Sequence, residues 1–341
     1  MLRSAFPPAS QQINHQQKLI TVGSCFTEHI GNALARLKFS VLQNPSGILF
    51  DPASLASSLT AYIHNRPLTR YSLFQLGEIW SSWDHHGQFS GTDKDSVVAQ
   101  INASQQTAHE RLKTADWLII TLGSSFSYQL LASVPHHARL PAGSAPVANG
   151  RGVANCHRAP AQWFHKHMMS IDETTAALDN ALNQLFSFNP YLQIIFTVSP
   201  VRHIRDGVIN NNRSKARLLE SVHQLVGKFN RLFYFPSYEL VIDILRDYRF
   251  YAEDMVHPNY LATDYVLEEF QKMFMSAETT EIIKKVKEIN LARKHRPAHP
   301  HTEAHQDFLK ANLQKTKALQ QQYHYLNLAE ELAYFTSASV G

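Results

Sequence analysis

The chain has 341 residues, of which 44% are hydrophobic and 18% charged, and its formal net charge is +4. This balance is that of an ordinary folded protein with ample material for a buried core. Because Lys and Arg are scattered along the chain rather than gathered on one stretch, the charge pattern argues against nucleic acid as the main partner.

Three features that the sequence lacks narrow the class of protein further. Residues 1–17 are polar and lack the apolar run of a signal peptide, and no stretch is long and apolar enough to span a bilayer. The two cysteines, Cys25 and Cys156, are too few for a disulfide framework. The sequence therefore predicts a cytoplasmic protein with no membrane partner.

Apolar segments alternate with helical patterns over most of the chain. Strands are predicted at residues 19–22, 39–43, 116–122, 192–198 and 232–235. Helices are predicted at residues 27–37, 172–185, 214–229, 238–245 and 258–274, and Thr27 caps the first of them. This alternation predicts a parallel sheet, and strands that are apolar almost throughout indicate helices on both of its faces.

Two insertions and a tail depart from this alternation. Residues 71–91, rich in aromatic and polar residues, predict an inserted hairpin, and residues 132–155, rich in Pro, Gly and Ala, predict a long loop. The tail has apolar residues at helical spacing, namely Ile282, Val286, Ile289, Leu319, Tyr323 and Leu326. We therefore predict a main domain over residues 1–276 and a helical appendage over residues 277–341, which docks on that domain or on a protein partner.

Polar and glycine-containing turns follow the predicted strands. They contain Ser24, Gly47, Gly123, Ser124, Ser125, Arg202 and His203. Ligands bind an open parallel sheet at the carboxyl ends of its strands. We therefore expect these separate segments to converge on one rim.

A candidate acid–base pair stands near the end of the main domain. A serine nucleophile needs a base to take its proton, and that base needs a partner that fixes its tautomer. Asp254 precedes His257 by three residues, on a turn stiffened by Pro258. Together with Ser24, these residues have the types and order of a Ser-His-Asp triad.

Five ordered motifs make the chain similar to the GSCFA family, which belongs with the SGNH, or GDSL-like, hydrolases. They are GSCF at residues 23–26, NPSG at 44–47, NCH at 155–157, SPVRH at 199–203 and DMVHP at 254–258. The resemblance covers residues 18 to 275 and leaves out the C-terminal tail.

The resemblance implies a flavodoxin-like three-layer α/β/α sandwich with a mainly parallel sheet. It also implies a serine-dependent acyl-ester hydrolase or acyltransferase that needs no cofactor and no metal. Ser24 matches the nucleophile, Asp254 and His257 match the Asp-x-x-His element, and Gly47 matches the loop glycine that helps to hold the oxyanion. By analogy with the family, the substrate is a small molecule or carbohydrate that carries an acyl ester.

One departure from the SGNH pattern concerns the oxyanion site. SGNH enzymes place an Asn shortly after a Gly on the third strand, whereas this stretch reads Gly123, Ser124, Ser125. The backbone N–H groups of Ser24 and Gly47 remain, and a hydroxyl of the two serines or the side chain of Asn155 can substitute for the missing amide. Loss of one oxyanion donor costs on the order of a hundredfold in rate.

Several site residues admit more than one role. His157 and His203 are either substrate contacts or structural residues, and Arg202 beside His203 suits an anionic or polyhydroxylated group. Cys25 is more simply a small residue at the start of a helix than a nucleophile. No set of histidines, His157 included, has the spacing of a zinc site.

Two other functions are compatible with the sequence. A non-catalytic module of the same fold can use the rim to bind a glycan or a related ligand, and the absent Asn favours this alternative. A scaffold that acts through the helical tail is the third possibility, and its function would survive loss of Ser24.

Overall fold

The computed structural model of the protein describes residues 6–131, 134–135 and 151–340. The chain forms two compact units. The first contains Lys18–Gly31 and Val41–Leu267, and the second contains Phe6–Gln17, Asn32–Ser40 and Glu268–Gly341.

Ten strands are present in the described residues. They are β1 (Lys18–Gly23), β2 (Ser40–Gln43), β3 (Phe74–Leu76), β4 (Ile79–Ser81), β5 (Trp117–Leu122), β6 (Phe126–Leu130), β7 (Arg151–Val153), β8 (Phe164–Met168), β9 (Gln193–Val198) and β10 (Leu232–Phe235). Five of them form the central sheet in the order β10-β9-β5-β1-β2, and the pairs β1–β5, β5–β9 and β9–β10 are parallel. Numbered among themselves, these strands have the order 2-1-3-4-5 of flavodoxin-like folds, which confirms the predicted fold class.

Ten α-helical segments accompany the strands in the described residues. They are α1 (Cys25–Arg36), α2 (Pro52–His64), α3 (Lys94–Thr114), α4 (Ile171–Phe188), α5 (Gly207–Lys228), α6 (Ser237–Glu239), α7 (Tyr260–Phe274), α8 (Ala277–Lys294), α9 (Glu303–Gln322) and α10 (Ala329–Val340). Local sequence explains several starts. Asp51 accepts a hydrogen bond from the N–H of Ser54 and precedes Pro52, and Ser170 forms a capping box with Glu173.

The central sheet is buried on both faces. Alternate residues of its strands, such as Val22, Ile120 and Phe196, pack with apolar side chains of helices α2 to α5. On the opposite face, Thr197 Oγ1 and Ser237 Oγ of α6 lie 2.6 Å apart. Each buried Leu, Ile or Phe contributes roughly 1.5–3 kcal/mol, so this two-sided burial holds the strand ends in place.

Two smaller sheets lie in the first unit. Strands β3 and β4 pair antiparallel as a hairpin within residues 71–91, and β7-β6-β8 form an antiparallel sheet. Trp83 is fully buried and stacks on Phe74, with their ring centroids 3.5 Å apart.

The structure corrects three predictions of local structure. The first helix begins at Cys25, so Thr27 is not its cap, because the Thr27 N–H donates to the Ser24 carbonyl 2.8 Å away and closes the first turn. Most of the predicted loop over 132–155 lies outside the described residues, but 151–153 form β7. The helix predicted over 238–245 is α6 followed by a π-helix at Leu240–Leu245.

The second unit has a hydrophobic core of its own. Its buried residues are Ile282, Val286, Ile289, Leu309, Leu319, Leu326, Leu328 and Phe335. The tail is helical as predicted, but Tyr323 and Leu326 lie between α9 and α10 rather than within a helix. In the part of the chain that the structure describes, no helix is long and apolar enough to cross a membrane.

Candidate functional site

The site lies at the topological switch point of the central sheet. The chain leaves β1 towards β2 on one side, and later reaches β5 on the other side of β1. In the register of these two strands Gly23 is opposite Thr121, so the residues that follow them lie close together. Such a switch point is the usual ligand site of an open α/β sheet, and here it holds Ser24 and Gly123.

Ser24 occupies the turn between β1 and α1. Only 3% of the residue is exposed, and Ser24 Oγ has no hydrogen-bond partner among the described residues. A buried hydroxyl without a partner costs about 1–3 kcal/mol, and such groups concentrate where function requires them. The N-terminus of α1 starts at the next residue, and its positive end favours negative charge on Ser24.

Asp254 and His257 form a directed pair on their turn. Asp254 Oδ2 lies 2.6 Å from His257 Nδ1, while Oδ1 accepts from the N–H groups of Val256 and His257 at 2.9 and 3.0 Å. The backbone N–H of His257, and then its ring, lower the pKa of Asp254 to about 2. An ionised carboxylate therefore holds the Nδ1 proton and leaves Nε2 available as an acceptor.

His203 lies beside both parts of the site. A Cβ added to Gly123 would stand 3.3 Å from Ser24 Cβ and 3.5 Å from His203 Nε2. Burial, and then the charge of Lys215, lower the pKa of His203 to about 4, and His257 acts on it electrostatically in the same direction. Gly123 is thus bordered both by Ser24 and by the neutral imidazole of His203.

The structure shows no hydrogen bond between Ser24 and His257 in the described residues. Because Ser24 Oγ has no partner among the described residues, it makes no hydrogen bond to His257 Nε2. Hydrogen bonds of this kind are often long without substrate and tighten in the reacting complex.

Both predicted backbone donors of the oxyanion site already donate elsewhere. The N–H of Ser24 donates to the Thr121 carbonyl at 3.2 Å, and that of Gly47 donates to the Asn44 carbonyl at 2.7 Å. Gly47 has φ of +78°, and a Cβ there would stand 2.2 Å from His86 Cβ, so only glycine fits this turn. Of the first N–H groups of α1, that of Thr27 donates to the Ser24 carbonyl at 2.8 Å, whereas those of Cys25 and Phe26 have no carbonyl partner within the helix.

The predicted substitutes for the missing Asn take part in local structure. Ser124 Oγ accepts from the N–H of Phe126 at 3.1 Å, and the Asn155 side chain accepts from the N–H of His157 at 2.7 Å. Ser125 Oγ is buried and has no partner in the described part of the chain. None of these side chains is hydrogen-bonded to Ser24.

His157 and Arg202 serve to join segments of the first unit. His157 Nε2 lies 2.8 Å from the Ser82 carbonyl oxygen, and burial lowers the pKa of His157. The Arg202 guanidinium lies over the ring of Tyr251, 4.4 Å from its centroid, and the Arg202 N–H donates to the Val256 carbonyl at 3.3 Å. Arg202 therefore connects the loop after β9 to the turn that carries His257.

Lys215 is a site residue that sequence reasoning missed. It is 1% exposed, and its Nζ donates to the carbonyls of Gly123 and Ser199 at 2.6 Å each. Burial lowers the pKa of Lys215 to about 7. One signal was available, because Lys215 stands at helical spacing with Leu218 and Val222, on the apolar face of the helix.

Neither thiol of the chain is activated. Burial raises the pKa of Cys25, and burial followed by the charge of Asp51 raises that of Cys156 to about 11. Within residues 6–131, 134–135 and 151–340, no group of three or more His, Cys, Asp or Glu side chains is placed to hold a metal ion.

The fold and the site together define an α/β protein with a serine-centred site at the switch point of a flavodoxin-like sheet. Residues 18–270 match the GSCFA family, and residues 286–338 match the C-terminal domain of GSCFA domain proteins. The chain therefore belongs to the GSCFA family, as its motifs indicated. No curated protein matches the chain.

Proposed function

We propose that this protein is a serine-dependent acyl-ester hydrolase or acyltransferase of the SGNH type, acting on an acylated substrate such as a carbohydrate. The observation that carries the proposal is the Asp254–His257 pair, whose Oδ2 and Nδ1 lie 2.6 Å apart. This pair leaves Nε2 as an acceptor, on the rim that also holds the unpartnered hydroxyl of Ser24. Nucleophile, base and orienting acid are the three parts that acyl transfer needs.

In the first step, Ser24 Oγ attacks the ester carbonyl carbon while its proton passes to His257 Nε2. The tetrahedral intermediate collapses, the bond from carbon to the alcohol oxygen breaks, and that oxygen takes the proton from His257. In the second step, water or an acceptor hydroxyl attacks the acyl-serine and gives its proton to Nε2. The bond from carbon to Ser24 Oγ then breaks, and the proton returns to Oγ.

In this mechanism the oxyanion is stabilised by the N-terminal end of α1 and by His203. The helix contributes N–H groups that have no intrahelical partner, next to Ser24. His203, with its proton on Nε2, supplies the side-chain donor that an Asn supplies in SGNH enzymes. A neutral imidazole can donate to a developing oxyanion without passing a full proton to it, and the pKa of about 4 keeps His203 neutral.

Replacing His203 by Phe is expected to lower kcat by about 10²–10³-fold, because one oxyanion donor is removed. KM for p-nitrophenyl acetate is expected to change little, since the donor acts mainly in the transition state. His203→Gln, which keeps a side-chain N–H, is expected to recover part of the loss. Undiminished activity of the Phe variant, which keeps an aromatic ring, would show that His203 only packs against Phe50, whose ring centroid is 5.7 Å away.

Ser24→Ala tests the function as a whole. The variant is expected to lose turnover of p-nitrophenyl acetate and labelling by a fluorophosphonate, while its circular dichroism and melting temperature stay close to those of the wild type. Ser125→Ala is the matched control, because Ser125 Oγ is also buried and unpartnered among the described residues. Undiminished labelling of the Ser24 variant would refute the proposal.

The second candidate is a non-catalytic module that binds a glycan or a related ligand at the same rim. It is favoured by the backbone N–H groups of Ser24 and Gly47, which both donate to carbonyls instead of facing a substrate oxygen. A binding module has no activated serine, so a wild-type protein that resists the fluorophosphonate but binds acetylated sugars in calorimetry would support it.

A further inference from the structure

A cleft of about 680 Å³ lies in the first unit, beside the turn that carries Asp254 and His257. Its walls come from the segment after β9, the start of α5, the π-helix and the turn itself. The lining residues are Pro200, Arg202, Ile204, Val208, Asn211, Asn212, Lys215, Tyr238, Ile242, Tyr248, Asp254, Met255 and Val256. The volume falls within the range typical of small-molecule sites.

Four exposed apolar side chains, none of them part of the hydrophobic core, lie at the mouth of this cleft. Ile204 is 55% exposed, Val208 70% and Met255 50%, and Tyr248 at the same mouth is 65% exposed. Single exposed apolar residues are ordinary, but four around one opening form a patch of the kind that marks a binding site.

Met255 adds an observation of strain. Its φ is +57°, the left-handed region that costs a non-glycine residue about 1 kcal/mol or more. The turn between Asp254 and His257 would form more easily with glycine at this position. A long apolar side chain stands there instead, at the rim of the cleft.

The cleft and the proposed site have Asp254 in common. Asp254 belongs both to the cleft wall and to the pair with His257. At the inner end, Lys215 Nζ is bonded to the carbonyl of Gly123, the residue that borders Ser24 Cβ. Lys215 and Gly123 therefore connect the cleft to Ser24, which does not itself line the cleft.

We propose that the cleft binds the apolar acyl chain of the substrate, so that the protein prefers esters of medium-length aliphatic acids to acetate esters. The inference rests on the proposed function, because it assigns the acyl side of that same ester. Aliphatic side chains of Ile204, Val208 and Ile242 suit methylene groups, and the polar side chains of the same lining, such as Asn211 and Asn212, leave hydrogen-bonding groups beside them. The sugar or other alcohol portion then lies on the His203 side of Ser24.

The first experiment measures kcat/KM for p-nitrophenyl acetate, butyrate and octanoate. Each fully buried methylene is worth about 0.8 kcal/mol, or about fourfold, so octanoate is expected to exceed acetate by at least about tenfold. Val208→Asp is expected to lower the octanoate value about tenfold and to leave the acetate value unchanged. A flat profile in the wild type would contradict the proposal.

Ile209→Asp is the matched control. Ile209 follows Val208 in the first turn of α5 and is 77% exposed, but it does not line the cleft. Both substitutions place a carboxylate at the start of the same helix, so they alter the helix dipole alike. Equal losses in the two variants would overturn the assignment of the cleft.

A binding measurement separates failure of the cleft from failure of the proposed function. Calorimetry with octanoate, carried out on the Ser24→Ala variant, is expected to show binding that Val208→Asp abolishes and Ile209→Asp preserves. If Ser24→Ala still hydrolyses esters, the function falls while this measurement still tests the cleft. If Ser24→Ala is inactive but octanoate does not bind, the function stands and the cleft assignment falls.

Discussion

Replacing Asp254 by Asn is expected to lower kcat about 10⁴-fold while leaving the fold intact. The Asn side-chain oxygen can still accept from the N–H groups of Val256 and His257, so the turn is retained. In the wild type, Oδ2 lies 2.6 Å from His257 Nδ1. In the variant an NH₂ group would face Nδ1 instead, and this group can only donate a hydrogen bond. The imidazole proton then moves to Nε2, which can no longer take the proton of Ser24, and a triad with the wrong tautomer loses about this factor.

Asp247→Asn is the control for this substitution. Asp247 accepts from the N–H of Arg249 at 2.9 Å in a comparable turn, and its second carboxylate oxygen pairs with the Arg249 guanidinium at 3.0 Å instead of with an imidazole. We expect the control to retain wild-type turnover. Single-turnover kinetics with p-nitrophenyl acetate would measure both variants, and a loss of less than tenfold for Asp254→Asn would remove the Asp from the mechanism.

The pH dependence of the Asp254 effect follows from its lowered pKa. A carboxyl group with a folded pKa of about 2 is ionised at all higher pH values, so its support of His257 is lost only as the pH falls through about 2. The Asp254 carboxyl is therefore expected to show no titration between pH 5 and pH 9 when its ¹³C chemical shift is followed by NMR. A carboxyl shift that titrates within this range would contradict the ionised state assigned to Asp254.

The sheet was predictable because its strands are almost continuously apolar. All five predicted segments overlap β1, β2, β5, β9 and β10 with shifts of one residue or less at their ends. Short length and flanking turn residues favour strands over buried helix segments for such apolar runs. The helix starts were less certain, and Thr27 shows why, because a main-chain hydrogen bond to Ser24 outweighed its capping preference.

In the candidate site, contacts between residues close in sequence were predictable, whereas contacts between distant segments were not. Asp254 and His257 are three residues apart, so a turn brings them together, and this contact could be inferred from sequence. The proximity of His203 to Ser24 depends on strand order, which the sequence pattern did not determine. The N–H directions of Ser24 and Gly47 depend on local φ and ψ values, and residue identity alone does not fix which carbonyl they meet.

Lys215 could not be assigned from sequence because its partners are distant along the chain. Its Nζ bonds the Ser199 carbonyl, 16 residues away, and the Gly123 carbonyl, 92 residues away. These carbonyls follow β9 and β5, which are neighbours in the sheet. Lys215 therefore ties together two strand ends that carry the site, and a neutral amine has enough hydrogens to satisfy both carbonyls.

Lys215→Met is expected to lower the free energy of unfolding by about 2–5 kcal/mol, because two buried carbonyls lose their donor and each such loss costs about 1–3 kcal/mol. Turnover is expected to fall as well, since Gly123 borders Ser24 and its peptide is no longer held. Urea denaturation followed by circular dichroism measures the first effect. Ester hydrolysis at a temperature where the variant remains folded measures the second.

Lys228→Met is the matched control on the same helix. The Lys228 side chain is 55% exposed and pairs with Asp179 at 2.6 Å, and exposed pairs of this kind contribute at most about 1 kcal/mol.

The wild type and the Lys228→Met control are also expected to share a pH dependence of stability. Because the pKa of Lys215 is lowered to about 7 on folding, the unfolded chain binds more protons between pH 7 and about 10.4, and this group makes stability rise with pH over that range. Lys215→Met is expected to lose this rise in the free energy of unfolding with pH. If the variant shows the same rise as the wild type, a group other than Lys215 is responsible for it.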